Sequence, residues 1–274
     1  MNHKTIRLNN SVEMPMLGLG VWQSEFGKAT EDAVKWALEA GYRHIDTAMI
    51  YQNEESVGKG IKESKVAREE IFLTTKLWND DVRAGNTLQA FEKSLQRLAV
   101  DYVDMYLIHW PVDGLTEAWR VMEDLYQQGK IKAIGVSNFH QTHLEKLCSE
   151  AKVVPAINQI ESHPMLSNQK LIDYCQGKGI AVSAWSPLGG SQGNMLKDEC
   201  LIEMADKYNK TTAQIILRWD IQREVVVIPK SVHKERIVSN MKIFDFELSQ
   251  EDMDIINCLN QDKRTGADPD NFDF

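Results

Sequence analysis

The sequence predicts an α/β protein of the (β/α)8 barrel (TIM barrel) class with an N-terminal β-hairpin and extra C-terminal helices and tail. Three observations predict it. Short β-branched or apolar runs alternate with longer stretches of helical period as far as the C-terminus, the signature of repeated βαβ units and a parallel sheet. Eight such runs follow the hairpin, the number that closes a barrel. The dinucleotide fingerprint of the competing doubly wound sheet is missing: the one early G-x-G, Gly18-Leu19-Gly20, has Gln23 where its third glycine belongs.

The elements follow in order. The hairpin runs Thr5 to Leu8, turns at Asn9-Asn10 and returns over Glu13 to Pro15. The eight strands are expected at Leu17–Leu19, Arg43–Asp46, Ile71–Lys76, Val103–His109, Ile131–Ser137, Ala156–Ile160, Ala181–Trp185 and Val225–Ile228. Between them lie amphipathic stripes, Ala33, Ala37 and Ala40 on one helix and Leu88, Phe91, Leu95 and Leu98 on another. Gly41 and Gly129 read as residues that end helices. Strand ends from Asp46 to Trp185 recur every 22 to 33 residues, one strand-helix unit each. The longer gap from Trp185 to Ile228 holds two helical patterns, Leu201–Tyr208 and Thr212–Gln222, so an extra short helix or lid is expected there. No linker interrupts residues 1–274, which read as a single barrel domain.

Composition narrows the function classes. The 274 residues are 43% hydrophobic and 26% charged, enough apolar material for a large core. A net charge of −9 argues against a nucleic-acid or anionic-membrane partner, although a local basic pocket for one phosphate remains compatible with it. The four cysteines are dispersed, with no C-x-x-C pair, which excludes a disulfide framework or zinc site. No leader-like or bilayer-spanning apolar run is present, so a soluble, cytoplasmic protein is expected. None of the four Gly-Lys pairs continues into a P-loop, and there is no G-x-S-x-G or H-E-x-x-H. His140 and His143 read as a solvated helix start, and no metal is expected.

A barrel turns the C-terminal ends of its strands toward one mouth, and three of those ends are ionisable: Asp46 closes RHID, Lys76 closes IFLTTK and His109 closes VDMYLIH. Tyr51 follows Asp46 in the adjoining loop. A phenol with an ordinary pKa of about 10 is a poor acid at neutrality, but a nearby ammonium stabilises its phenolate and is expected to bring the value down toward working pH. Lys76 is the candidate ammonium, Asp46 the carboxylate that keeps it charged, and neutral His109 a donor that orients a carbonyl oxygen. Singly, Asp46–Lys76 has a structural explanation as an ion pair, His109 as a core histidine and Tyr51 as a loop aromatic. Their joint occurrence on adjacent strand tops favours chemistry that protonates a carbonyl oxygen.

At these residues the sequence resembles the aldo-keto reductases, over essentially its whole length. The resemblance is carried by GYRHIDTAMIYQNEESVG (Gly41–Gly58), TTKLW (Thr74–Trp78), LIHWP (Leu107–Pro111), GKIKAIGVSNF (Gly129–Phe139), NQIE (Asn158–Glu161), AWSPLG (Ala184–Gly189) and IPKS, with Arg236 and Asn240 downstream. It implies a barrel that binds extended NADPH without a Rossmann motif and reversibly reduces carbonyls, with Tyr51 as general acid, Asp46 and Lys76 as its tuning pair and His109 as carbonyl orienter. Cofactor positions implied in the same way are Ser137, Asn138 and Gln159 for the carboxamide, and Trp185 for stacking on the nicotinamide. Ser186, Pro187, Leu188 and the glycines after them would follow the pyrophosphate. Lys230, Ser231 and Arg236 would take the 2′-phosphate that distinguishes NADPH from NADH. Gly20, Val21, Trp22, Asp46, Ile228, Val232 and Asn240 complete the implied cofactor set. Trp22, Tyr51, Trp78, His109 and Trp110 form the implied substrate wall.

Two departures from the family pattern stand out. Ser239 replaces a Glu often found near the adenine, and the short segment Val112 to Thr116 replaces a longer loop, implying a more open mouth. The acidic tail TGADPDNFDF either crosses the rim, packing Phe272 or Phe274 down, or frays. The subgroup resembles small microbial members acting on glyoxals, diketo-sugar acids or prostaglandin endoperoxides, so a small-molecule carbonyl and a monomer are expected. Two other readings stay open on the residues alone: a Schiff-base aldolase with Lys76 as nucleophile, which borohydride would trap, and a non-catalytic NADPH-sensing barrel.

Overall fold

The computed structural model describes residues 4–190 and 194–274. An antiparallel hairpin, β1 (Thr5–Arg7) with β2 (Glu13–Pro15), precedes eight parallel strands: β3 (Leu19–Gly20), β4 (His44–Asp46), β5 (Phe72–Leu77), β6 (Val103–Ile108), β7 (Ile131–Ser137), β8 (Ile157–Glu161), β9 (Ala181–Trp185) and β10 (Val225–Val227). They hydrogen-bond in sequence order. Parallel bridges Leu17 to Val227 and Gly20 to Lys230 join the two edges, so the sheet closes and leaves no edge. Gly20 makes that seam possible, since a Cβ there would stand 2.6 Å from the Ile228 carbonyl oxygen.

Helices alternate with the strands: α1 (Lys28–Ala40), α2 (Glu54–Ser64), α3 (Asn79–Arg83), α4 (Thr87–Leu98), α5 (Leu115–Gln127), α6 (Gln141–Cys148), α7 (Gln169–Gly177), α8 (Glu199–Tyr208), α9 (Thr212–Gln222), α10 (Lys234–Asn240) and α11 (Gln250–Asn257). α1 ends where Gly41 adopts φ 109°, and α9 begins with a capping box between Thr211 and Gln214. The expected extra element after β9 is a 3-10 turn at Asn194–Lys197 followed by α8, which pack with α9 and α11. Most strand limits fall within a residue of expectation. One stripe is corrected: Leu88 is 42% exposed and Leu95 only half-buried, while Thr87, Ala90, Phe91, Ser94 and Leu98 face inward. The start of α4 sets that phase, and Leu88 alone could not report it.

The main core lies between the strands and the helix ring. At the opposite end from the strand tops, Leu8 and Met14 of the hairpin region pack with Phe72, Met105, Leu107, Ile157 and Val226, and so plug the barrel. Asn9 and Asn10 fasten it by donating to the carbonyls of Pro155 and Lys132. The plug leaves the other mouth as the open end. Among the described residues no helix is long and apolar enough to cross a membrane.

Candidate active site

The strand tops converge as the topology requires. Lys76 is fully buried, and its ammonium donates to Asp46 Oδ1 at 2.5 Å, to the Thr47 carbonyl at 2.8 Å and to the Tyr51 hydroxyl at 3.4 Å. Gln159 Nε2 donates to the other Asp46 oxygen at 2.8 Å, so the carboxylate is held on both sides. The His109 ring packs edge-on against Tyr51 and Trp78, with ring centroids 5.8 and 5.2 Å away. Its Nδ1 is buried with no partner among the described residues. Asp46, Tyr51 and His109 line a cavity of about 1460 Å3, with Lys76 directly beneath them.

Burial lowers the pKa of Lys76, but Asp46 and then Tyr51 more than compensate, and the amine stays an ammonium above its ordinary range. Burial and the same ammonium hold His109 well below the usual histidine value, so it is neutral at pH 7. Tyr51 departs from expectation. Burial pushes its phenol above the ordinary value, and the ammonium and its hydrogen bond pull down without winning. The expectation that Lys76 brings the phenol down toward working pH is therefore corrected: burial outweighs the ammonium, and the Tyr51 phenol keeps its proton at neutrality with the cation 3.4 Å away.

The remaining candidates lie along the same cavity. Gly20, Trp22, Trp78 and Trp110 border the end near Tyr51, whereas the Val21 side chain is buried in the core behind it. Ser137, Asn138 and Gln159 stand on its floor, linked together: Ser137 Oγ donates to the Gln159 carbonyl, Asn138 Nδ2 to Ser137 Oγ, and the Trp185 indole to Asn138 Oδ1 at 2.8 Å. Trp185, Ser186, Pro187 and Leu188 continue the wall. Ile228, beside Gly20 at the barrel seam, and then Lys230, Ser231, Val232, Arg236 and Asn240 line it as well, with the Lys230 and Arg236 side chains exposed. The cavity therefore holds both an acid-base cluster and a pair of cations. It exceeds a typical small-ligand pocket of about 300 to 1,000 Å3, which suits an extended dinucleotide plus a substrate. Ser239 also reaches it, with its carbonyl accepting from Gln214.

A model of the aldo/keto reductase family matches residues 16–261. The chain belongs to that family. It is 56% identical to a glyoxal reductase of Bacillus subtilis over 98% of both chains, and 48% identical to a methylglyoxal reductase of Yersinia pestis over 97% of this chain and 96% of that one. A Bombyx mori aldo-keto reductase solved in complex with NADP superposes with a TM-score of 0.92 at 40% identity, covering 98% of this chain and 97% of that one. This aldo-keto reductase is thus an oxidoreductase by family, and the barrel expected from its sequence is the family's fold.

Several residues that organise the reductase's site escaped the sequence reading. Asn53, fully buried, donates to the carbonyls of Val21 and Ser24 and accepts from the Thr47 hydroxyl at 3.1 Å. It ties the Trp22 loop to the residue whose carbonyl holds Lys76. Glu54 bridges Thr75, Lys76's neighbour, and Arg97 of α4. Their place within the QNEESVG run was the available signal, but the run alone names no partner.

The tail crosses the rim, the first of its two expected fates. Phe274 stacks on Trp78 and meets Trp110 edge-on, and Phe272 packs on Trp110. His140 and His143 are not simply solvated. Both face Asp270 of the tail, at 2.7 and 3.4 Å. The three could group around a metal ion, but the hydrogen bonds oppose it. His140 Nε2 accepts from Arg264 and His143 Nδ1 accepts from the His140 backbone N–H, which leaves a proton on each nitrogen facing Asp270. They clasp the tail.

Proposed function

We propose that this reductase uses NADPH to reduce aldehydes and ketones to alcohols, small reactive dicarbonyls such as glyoxals among them. The observation that carries the reading is the Asp46–Lys76–Tyr51 hydrogen-bonded chain beside neutral His109, opening into a cavity lined also by Lys230 and Arg236. Bound NADPH would supply the hydride.

The chain's own residues supply the rest. His109 orients the carbonyl oxygen by hydrogen bonding, and Tyr51 gives that oxygen its proton as charge develops there. Lys76, kept charged by Asp46, stabilises the phenolate left behind. Ser137, Asn138 and Gln159 would hold the carboxamide and Trp185 would offer its face to the nicotinamide, while Lys230, Ser231 and Arg236 would hold the 2′-phosphate. Trp22, Trp78 and Trp110 give the substrate an apolar wall.

The relatives named for glyoxal and methylglyoxal reduction support the substrate class, and the NADP complex of the Bombyx mori enzyme supports the cofactor. A Schiff-base role is disfavoured, because Lys76 is wholly buried and its nitrogen is committed as an ammonium to Asp46. The reading has the whole chain acting as one barrel domain and as a cytoplasmic monomer. The four free cysteines accord with a reducing compartment.

A panel of glyoxal, methylglyoxal, aryl aldehydes and keto-sugar acids, assayed with NADPH and NADH side by side, tests the reading. Tyr51→Phe is expected to keep NADPH affinity and lose roughly 10²- to 10⁴-fold in kcat. Unchanged turnover removes Tyr51 from the mechanism, and no turnover of any carbonyl by the parent favours a sensing barrel.

A further inference from the structure

The mouth of the barrel holds one more buried carboxylate, to which the mechanism above gives no work. Glu161 ends β8 two residues beyond Gln159 and therefore on the same face of the strand, and it pairs in register with Trp185 of β9. It is 1% exposed. An ionised carboxylate at such a place is costly unless its lone pairs are filled.

The C-terminal segment fills them. Glu161 Oε1 accepts from the Thr265 N–H at 2.6 Å, the Thr265 hydroxyl at 2.5 Å and the Gly266 N–H at 3.2 Å. His163 Nε2 lies 3.1 Å away on the inner side, itself fully buried, and the Arg264 guanidinium stands at 3.8 Å. These contacts join positions about a hundred residues apart in sequence and bring backbone against an indole: a Cβ on Gly266 would lie 2.3 Å from Trp185 Cη2. The opposite edge of the same ring is held by its N–H bond to Asn138. Trp185 is thus gripped at both ends, by Asn138 and by the segment that Glu161 fastens.

We propose that Glu161 is a positioning residue for the cofactor: by seating Thr265 and Gly266 against Trp185 it fixes the indole face on which the nicotinamide rests, and so sets the rate at which cofactor leaves. This rests on the NADPH reading given above. The His140 and His143 clasp on Asp270 holds the same segment further along, so loss of Glu161 frees the part beside Trp185 and leaves the rest tethered.

Stopped-flow fluorescence of NADPH release from the full chain tests the proposal, with steady-state constants for NADPH and methylglyoxal beside it. Glu161→Gln and Thr265→Val are expected to raise the NADPH dissociation rate about tenfold and its KM in step, with the methylglyoxal KM held within twofold. Thr265→Ser, which keeps both of its hydrogen bonds, should restore the parent rate. Gly266→Ala, which pushes on the indole with Glu161 intact, should also speed release. Parent-like dissociation rates in Glu161→Gln, Thr265→Val and Gly266→Ala would overturn the proposal, even if their melting temperatures fall, because a purely structural clasp lowers stability alone. A change confined to the methylglyoxal KM would overturn it too, placing the segment on the substrate wall. A parent chain that neither binds NADPH nor reduces any carbonyl would instead refute the functional reading, an outcome distinct from both.

Discussion

Replacing Lys76 with Met removes the ammonium while keeping a side chain of similar reach in a fully buried slot. A unit charge 3.4 Å from the Tyr51 oxygen, at an effective dielectric of about 20, stabilises a phenolate by about 5 kcal/mol. At about 1.4 kcal/mol per tenfold that is between three and four decades. With the proton partly transferred in the proposed transition state, a loss of about 10³-fold in kcat is expected. Stability should fall as well. Asp46, 2% exposed, keeps only the Gln159 bond, and an abandoned buried charge costs about 3 to 5 kcal/mol. The double variant Asp46→Asn/Lys76→Met separates the two effects, since it removes the unpaired charge and should recover most of the stability without recovering kcat. The assays are NADPH oxidation at saturating carbonyl, NADPH binding by fluorescence, and urea unfolding. A folded Lys76→Met enzyme within tenfold of the parent kcat, or recovery of kcat in the double variant, would refute the electrostatic argument.

Three further expectations follow from other parts of the site. Arg236→Ala should weaken NADPH roughly ten- to hundredfold, the loss of one charge-assisted contact, and NADH less than threefold, as read by the two KM values; equal losses would refute the phosphate pocket. Asn53→Ala removes two donated hydrogen bonds and one accepted bond in a dry site, so urea unfolding should show about 3 kcal/mol less stability and kcat should fall more than KM; an unchanged unfolding midpoint would count against the tether. For pH, the pKa of His109 lies well below 6.5 and that of Tyr51 above 10. The imidazole therefore gains its proton only far on the acid side and the phenol loses its own only far on the alkaline side, so kcat/KM should be flat between about pH 6.5 and 9. An inflection near 6.5 would show that His109 titrates as an ordinary histidine.

The sequence by itself determined the number and order of the strands, since period-2 and period-3.6 patterns are written into neighbouring residues and a parallel barrel repeats them in chain order. It likewise placed Asp46, Lys76 and His109, because a polar residue ending an apolar strand needs no partner to be noticed. Only the tertiary structure decided that Asn53 ties the Trp22 loop to Thr47, that Glu161 reaches Thr265, that His140 and His143 face Asp270, and that Leu88 turns outward. The same holds for the Tyr51 phenol, which rises where its neighbours in sequence suggested it would fall. Periodicity is a local property that each short segment carries alone. Hydrogen-bond partners across a hundred residues, and the balance of burial against charge at one oxygen, exist only once distant segments share a volume from which water has been removed.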